Sequence, residues 1–465
     1  HRGNRELSAP APAAARGAAP FDLVFDDAGS VRLHARYDLP LTDGRGSGNY
    51  MAGSSNVFAS RPFALDVTVP GNPGATAGSG PRFLAAGANF GASVRAVLWS
   101  AADDANADGI ADGMTSGDAN PGNNARLSDN STAPNFAPGA PFTLGATLFR
   151  PSGGRHPGLS GAPSATLHAG VATVSGLRYD EVGIIEISAV QSGDYLGIGA
   201  AATAAIRGLS GAVGRFHPAR FAVAANTPRF ADACAAGGFS YMDQPFGFAT
   251  APVLTLTAQN VSGGTTHNYT TTEFFRMAPT FNGRSAADSA ARALAHVAGA
   301  DVVASDTTGA TGVFRLSLPA GASGDQFRYT RANPVAPFTA QVDLSLPAAA
   351  LRDGDAVCHD PNGDAACDGY TFEDIAGTAL RYGRLATDNV LGAEVLPLAA
   401  PVRAEFFNGQ GFVRNDADVC TAIPATALDL GAGSPAEAPP TGELEIAVGA
   451  GTSRAAVAHL PLASG

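Results

Sequence analysis

The stretch VGIIEISAV, residues 182–190, decides the fold. It is short, β-branched and apolar at alternate positions, with Glu186 and Ser188 between Ile185, Ile187 and Ala189. A period of two puts the apolar side chains on one face of a strand and the polar ones on the other. The same grammar recurs in both directions. FALDVTV (63–69), SVRAVLWS (93–100), FTLGATLF (142–149), PVLTLTAQ (252–259), GVFRLSL (312–318), AQVDLSL (340–346), VRAEFF (402–407) and ELEIAV (443–448) all read as strands, and Gly, Pro, Asn, Asp and Ser clusters separate them. Many short strands with regular turn signals predict an all-β chain of tandem immunoglobulin-like β-sandwich domains in an elongated array. RSAADSAARALAHVAGA (284–300) is ambiguous. Its alanine content permits a short helix, but its apolar spacing is poor and the strand-like DVVASD follows at once.

Arg/Pro/Phe links stand before new strands in ASRPFALDV (59–67) and GAVGRFHPARFAV (211–223), and a further break falls in SLPAAALRDGDAVC (345–358). They divide the chain into residues 1–62, the terminal strands of an incomplete upstream β domain; 63–213, a sandwich with an acidic loop; 214–345, a second sandwich; and 346–465, a third with a cysteine-bracketed acidic loop. The opening HRGNRELSAP has neither an initiator Met nor a signal-peptide core, and reads as an internal or processed piece.

The 465 residues are 45% hydrophobic, enough to bury several cores, and the 57 glycines and 32 prolines suit turn-rich β structure. Every basic residue is arginine. Schiff-base lysines, P-loop lysines and Lys–Asn cross-links are therefore excluded. The net charge of −12 argues against a nucleic-acid partner, which needs a basic surface. No apolar run approaches the roughly 18–20 residues that span a bilayer.

Carboxylates are few but concentrated. DDANADGIADG (103–113) places Asp104, Asn106 and Asp108 at alternate positions, then Gly109, then Asp112. Ca²⁺ takes about six to eight oxygen ligands, which such a loop supplies from side chains and from the Ile110 carbonyl. The spacing matches the start of an EF-hand loop without its distal Glu, so it resembles the calcium loops of extracellular modules; Asp103 is an extra candidate. The competing reading is a solvated acidic turn. A second cluster, CHDPNGDAACDGY (358–370), repeats the spacing with Asp360, Asn362, Asp364 and Asp368, and Ala366 as carbonyl donor. Its glycine stands at 363 rather than after Asp364, which weakens the match.

Cys358 and Cys367 bracket that second cluster, and joining them would stabilise a small loop by roughly 2–3 kcal/mol. Parity then leaves Cys234 with Cys420. Two disulfides imply an oxidising compartment; four buried thiols, or a zinc site using Cys358, His359 and Cys367, are the alternatives. No G-x-S-x-G elbow, H-E-x-x-H or Walker loop is present, and the nine histidines are scattered, His217 in RFHPARF reading as a linker contact. Trp99 is the sole tryptophan, an argument against a sugar-stacking groove. The sequons at Asn130, Asn260 and Asn268 read as chance.

One resemblance covers most of the chain. FDLVFDDAGSVRLHARYDLPL (21–41), WSAADDANADGIADG (99–113), VGRFHPARFAV (213–223), FSYMDQPFGFATAPVLTLTAQN (239–260), NPVAPFTAQVDLSL (333–346), CHDPNGDAACDGY (358–370) and DADVCT (416–421) resemble consecutive landmarks of MshQ-like proteins, encoded with mannose-sensitive haemagglutinin type IV pili. The resemblance implies an exported, extracellular or cell-surface, non-catalytic protein whose partners are pilus or appendage components and whose receptor is unknown. Relatives often carry an upstream lectin-like domain that this sequence does not include. Together these readings give a calcium-stiffened stalk or adhesin. Its rivals are a self-assembling fibre subunit using strand exchange, for which GELEIAVG (442–449) is suited, and a secreted enzyme with an unrecognised site.

Overall fold

The computed structural model describes residues 23, 25–113, 127–270, 273–278, 280–281, 283–306, 312–391, 401–422, 445–449 and 452–456. Strands dominate them, and Ala200–Ala204 is the one α-helix among the described residues. The all-β expectation holds. None of the described helices is long and apolar enough to cross a membrane. The chain divides into two compact units, His1–His217 and Pro218–Gly465.

In the first unit, β1 (Gly29–Val31), β2 (His34–Pro40), β3 (Gly46–Ser54) and β4 (Phe58–Ser60) precede the main sheets. β1 pairs with β4, and β2 with β3 as a two-stranded ribbon. Residues 1–22 of the stretch expected to hold terminal strands lie outside the described residues. Next come β5 (Ala64–Thr68), β6 (Phe90–Val97), β7 (Phe142–Arg150), β8 (Leu159–Ser160), β9 (Ser164–Ala165), β10 (Val171–Tyr179), β11 (Gly183–Gln191) and β12 (Arg207–Phe216). They form two four-stranded antiparallel sheets, ordered β5-β6-β10-β8 and β12-β11-β7-β9.

The decisive stretch is β11, a central strand between β7 and β12. Its alternation works as the sequence demands: Ile185, Ile187 and Ala189 are buried, and Glu186 and Ser188 less so. In β6, Phe90, Ala92, Val94 and Ala96 point inward by the same rule. Side chains from both sheets, among them Leu65, Val94, Phe142, Ile187, Val213 and Phe216, share one core. Burying them supplies the main stabilising term, about 25 cal/mol per Å² of apolar surface. The sheets meet along β5 and β12, so closely that a Cβ at Gly208 would collide with the Leu65 carbonyl oxygen. His217 ends the unit as a backbone contact, its N–H donating to Leu84 O and its carbonyl accepting from Ala86 N.

The second unit has a five-stranded antiparallel sheet in which Val253–Gln259 lies between Arg220–Ala225 and Val313–Ser317, followed by Val302–Asp306 and Thr280–Phe281. A three-stranded sheet sets Val342–Leu346 between Ser285–Asp288 and Tyr370–Ile375. A last sheet carries Gly383–Thr387, Pro401–Phe407, Phe412–Arg414, Thr452–Ala456 and Glu445–Gly449. The ambiguous alanine-rich stretch is two strands, Ser285–Asp288 and Leu294–Val297. The turn between them forms because the Asp288 carboxylate accepts the backbone N–H groups of Ala290 and Arg292 at 3.0 and 2.9 Å, an alternative that outcompetes helix. Cys234 is joined to Cys420 across a separation of 186 residues, and Cys358 to Cys367 across nine. Both pairings are those that parity and spacing predicted.

Among the described residues of this unit, one ion pair has both side chains fully buried. Arg284 Nε donates to the two Asp325 oxygens at 3.0 and 2.8 Å, and both side chains are inaccessible. Burial alone would raise the Asp325 pKa, but the hydrogen bonds from Arg284, His296 and the Gly299 N–H outweigh it and hold the carboxyl well below its ordinary range. A group with a depressed folded pKa stabilises fully above its unfolded value, near 3.9, and loses that contribution as the pH falls through the folded value. Urea unfolding of the wild type should therefore show a loss of stability that sets in below about pH 4. Asp325→Asn should cost about 3–5 kcal/mol at neutral pH, because the buried Arg284 guanidinium loses the Asp325 carboxylate. An unchanged midpoint in the variant would rule this account out.

Candidate functional site

The two acidic loops are local copies of one another. In the first, Asp104 Oδ1 accepts the Asp108 N–H at 3.0 Å, and Asp104 Oδ2 accepts the Gly109 N–H at 2.9 Å. Asn106 Nδ2 donates to Asp108 Oδ2 at 3.0 Å, the Ile110 N–H donates to Asp108 Oδ1 at 2.7 Å, and the Asp112 N–H closes the loop on Asp103 O at 2.9 Å. In the second, Asp360 accepts the Gly363 and Ala365 N–H groups at 2.7 and 3.0 Å. Asn362 Nδ2 donates to Asp364 Oδ2 at 3.1 Å, the Ala366 N–H to Asp364 Oδ1 at 2.8 Å, and the Asp368 N–H to His359 O at 2.9 Å.

The displaced glycine does not weaken the match. Both loops turn left-handed twice, at Ala107 and Gly109 (φ 55° and 77°) and at Gly363 and Ala365 (φ 75° and 65°). Glycine and alanine have exchanged places on one backbone path. Each alanine carries a strain of about 1–2 kcal/mol there, which the loop hydrogen bonds offset.

Their surroundings differ. The base of the first loop is buried, with Asp103 and Asp104 each 4% exposed and Asp112 0%, while Ala105, Asn106, Ala107 and Asp108 at its tip are exposed. Trp99 Nε1 donates to Asp104 Oδ2 at 2.7 Å, and Arg61 donates to the Gly109 carbonyl at 2.9 Å. Burial holds the Arg61 pKa below its ordinary value against the opposing charge of Asp108. The second loop stands in solvent from Pro361 to Ala366 and is pinned by the Cys358–Cys367 disulfide. That bond removes the thiolates a zinc site would need, and His359 is buried with Nδ1 3.2 Å from Phe221 O.

Sequence reading thus places Asp104, Asn106, Asp108, Ile110 and Asp112 in one loop, and Asp360, Asn362, Asp364 and Asp368 in the other, and the structure keeps each set together. Among the described residues, no group of three or more His, Cys, Asp or Glu side chains is gathered as a metal cage. The carboxylates are turned onto their own backbone N–H groups. Each ionised carboxylate has about four acceptor sites, so a loop of this kind retains an oxygen-only donor set suited to a hard cation.

Trp99 was the residue whose part sequence reading missed. Its indole edge is fixed by Asp104 while 56% of the residue stays exposed. It lines a cleft of about 1190 Å³ together with Phe25, Asp26, Asp27, Arg61 and Asp129. Only its spacing of five residues from Asp104 could have signalled this. The three sequons carry inward-facing asparagines: Asn130 donates to Leu98 O, Asn260 accepts from the Ser262 and Gly264 N–H groups, and Asn268 is 4% exposed.

Comparison with known families matches the second domain of DUF6701 to residues 61–176, its third domain to 181–374 and its fourth to 381–460. The matches run in order and together span most of the chain, which belongs to the DUF6701 family. No curated protein matches it.

Asp104→Ala removes the acceptor of three hydrogen bonds. It should cost about 2–3 kcal/mol, and release the indole, seen as red-shifted Trp99 emission with lower anisotropy. Wild-type emission in a folded variant would show that Asp104 does not fix the ring.

Proposed function

We propose that this protein is an exported, non-catalytic structural or adhesive element of the bacterial surface, a stalk or adhesin stiffened by calcium at its two acidic loops. The observation that carries the reading is the duplication of one oxygen-rich loop conformation at 104–112 and 360–368, on different sequence and in different surroundings. Two disulfides support an oxidising, exported setting. Asp104, Asn106, Asp108, Asp112 and the Ile110 carbonyl would hold one ion; Asp360, Asn362, Asp364, Asp368 and the Ala366 carbonyl would hold the other. Bound calcium neutralises carboxylates that repel one another in a chain already carrying −12. Association with a type IV pilus rests on the resemblance of the ordered sequence landmarks.

A fibre subunit is the second reading, favoured by the β2–β3 ribbon. Tyr37 pairs with Met51 on one of its faces, and each is 58% exposed. The other face is polar, with the Arg36 guanidinium 4.3 Å from the Tyr50 ring and 2.8 Å from Asp38. A lone two-stranded ribbon is marginal in water, so an apolar face of this kind favours further pairing.

Metal analysis of native protein, with thermal melts in calcium and in EDTA, tests the first reading. Calcium at a hundred times its Kd contributes about 2.7 kcal/mol, which for a unit of this size lowers Tm by about 5–10 °C on removal. No bound calcium and superimposable melts would sink it. Concentration-dependent filaments in negative stain would favour the second.

A further inference from the structure

All four cysteines lie in the second unit, and the first, His1–His217, contains none. The longer-range bond, Cys234–Cys420, spans 186 residues and joins the stretch matched by the third family domain to the stretch matched by the fourth. Short contacts accompany it. Ser240 and Tyr241 pair in parallel with Leu380 and Arg381, and the Ser240 and Thr378 hydroxyls lie 2.7 Å apart. Tyr241 Oη donates to Asp418 Oδ2 at 2.9 Å and accepts from Asn415 Nδ2 at 2.6 Å. Gly237 is packed so closely that a Cβ there would stand 2.4 Å from the Ala417 carbonyl oxygen.

We propose that Cys234–Cys420 is a force clamp: when tension is applied to the chain ends, this bond carries the load across the second unit and shields residues 235–419 from it. The proposal rests on the reading of the protein as a load-bearing surface element. Covalent topology sets the path. Tension arriving from the first unit reaches Cys234, crosses to Cys420 and leaves, so the chain between them is not pulled. Of the five-stranded sheet, only Arg220–Ala225 stands before Cys234. It can be peeled from Val253–Gln259, and unravelling then stops at the cystine. The noncovalent contacts beside the bond are a poor substitute. The parallel pairing is two residues long, and the bonds of Tyr241 are side-chain hydrogen bonds, each of which contributes little net of water. Resistance to forced unfolding is a matter of unfolding rate, and contacts that break one after another hold it up only briefly. The first unit has no covalent link and is therefore the element that yields. The shielded stretch contains the buried Arg284–Asp325 pair and the 360–368 loop with its own cystine, which keep their geometry at tensions that dismantle the first unit.

Single-molecule stretching of the full chain, held by its two ends, tests this. Native protein is compared with the Cys234→Ser/Cys420→Ser variant, which retains Cys358–Cys367. Native molecules should lengthen only by chain lying outside the clamp. The variant, at the forces that unfold the first unit, should gain about 60 nm more, since 186 residues reach at most roughly 3.3–3.6 Å each. Reductant admitted to native molecules already under tension should give the same gain without any substitution, so the test stands whether or not the variant folds. The gain is set by the cystine and should be equal in calcium and in EDTA, so this proposal and the calcium reading fail separately. Three outcomes overturn it: oxidised native protein already releasing that length, a folded variant whose second unit outlasts the first without the bond, or no gain on reduction under tension.

Discussion

A buried carboxylate that accepts two backbone N–H groups of its own loop and one aromatic donor is the interaction on which this structure depends. Asp104 does this with Asp108, Gly109 and Trp99. Asp288 does it with Ala290, Arg292 and Tyr329 Oη, the last at 2.6 Å. Asp353 takes the Asp355 and Val357 N–H groups and Tyr269 Oη at 2.7 Å, and Asp418 takes Cys420, Thr421 and Tyr241 Oη at 2.9 Å. Short strands joined by many turns leave many loop N–H groups to be satisfied, and an unsatisfied buried donor costs about 1–3 kcal/mol. An aspartate satisfies two of them and binds the loop to a core aromatic at once.

The charge on these groups follows from the balance of burial against hydrogen bonding. At Asp353 burial wins and raises the carboxyl pKa despite the bonds from Tyr269 and Val357. At Asp418 burial pushes the same way, but bonds from Thr421, Tyr241 and Cys420 hold the carboxyl below its ordinary value. The aromatic partners respond in kind: burial first, then the facing Asp288, lifts the Tyr329 hydroxyl well above the usual phenol range. The raised Tyr241, Tyr269 and Tyr329 hydroxyls therefore keep their protons and donate them to the facing aspartates.

This device explains which parts were legible in the sequence. The alternation of Ile185 and Ile187 with Glu186 and Ser188 is local, and the strand it predicts is β11. The acidic loops were legible because their hydrogen bonds close within nine residues. The cystines followed from parity. Illegible were the pairs Tyr241–Asp418 and Tyr269–Asp353, whose members lie 177 and 84 positions apart, and whose aspartates look like ordinary turn residues. The two-strand form of 284–300 was hidden for the same reason, since Asp288 is positioned by Tyr329 from another strand. The glycine displacement at Gly363 misled because residue type was read where backbone conformation mattered.

The two acidic loops then show how one conformation is secured by different means. A loop held open to solvent loses its internal hydrogen bonds to water, so the exposed 360–368 path needs a constraint on the unfolded chain. The nine-residue Cys358–Cys367 link supplies roughly 2–3 kcal/mol of it. The 104–112 path has no such link and is held by burial of Asp103, Asp104 and Asp112 and by the bonds from Trp99 and Arg61. A loop pinned covalently is held independently of its neighbours, whereas a loop pinned through Trp99 is coupled to the ring that lines the cleft. The dense carboxylates at 103–113 therefore hold a shape, and the shape they hold is that of the aromatic surface beside them.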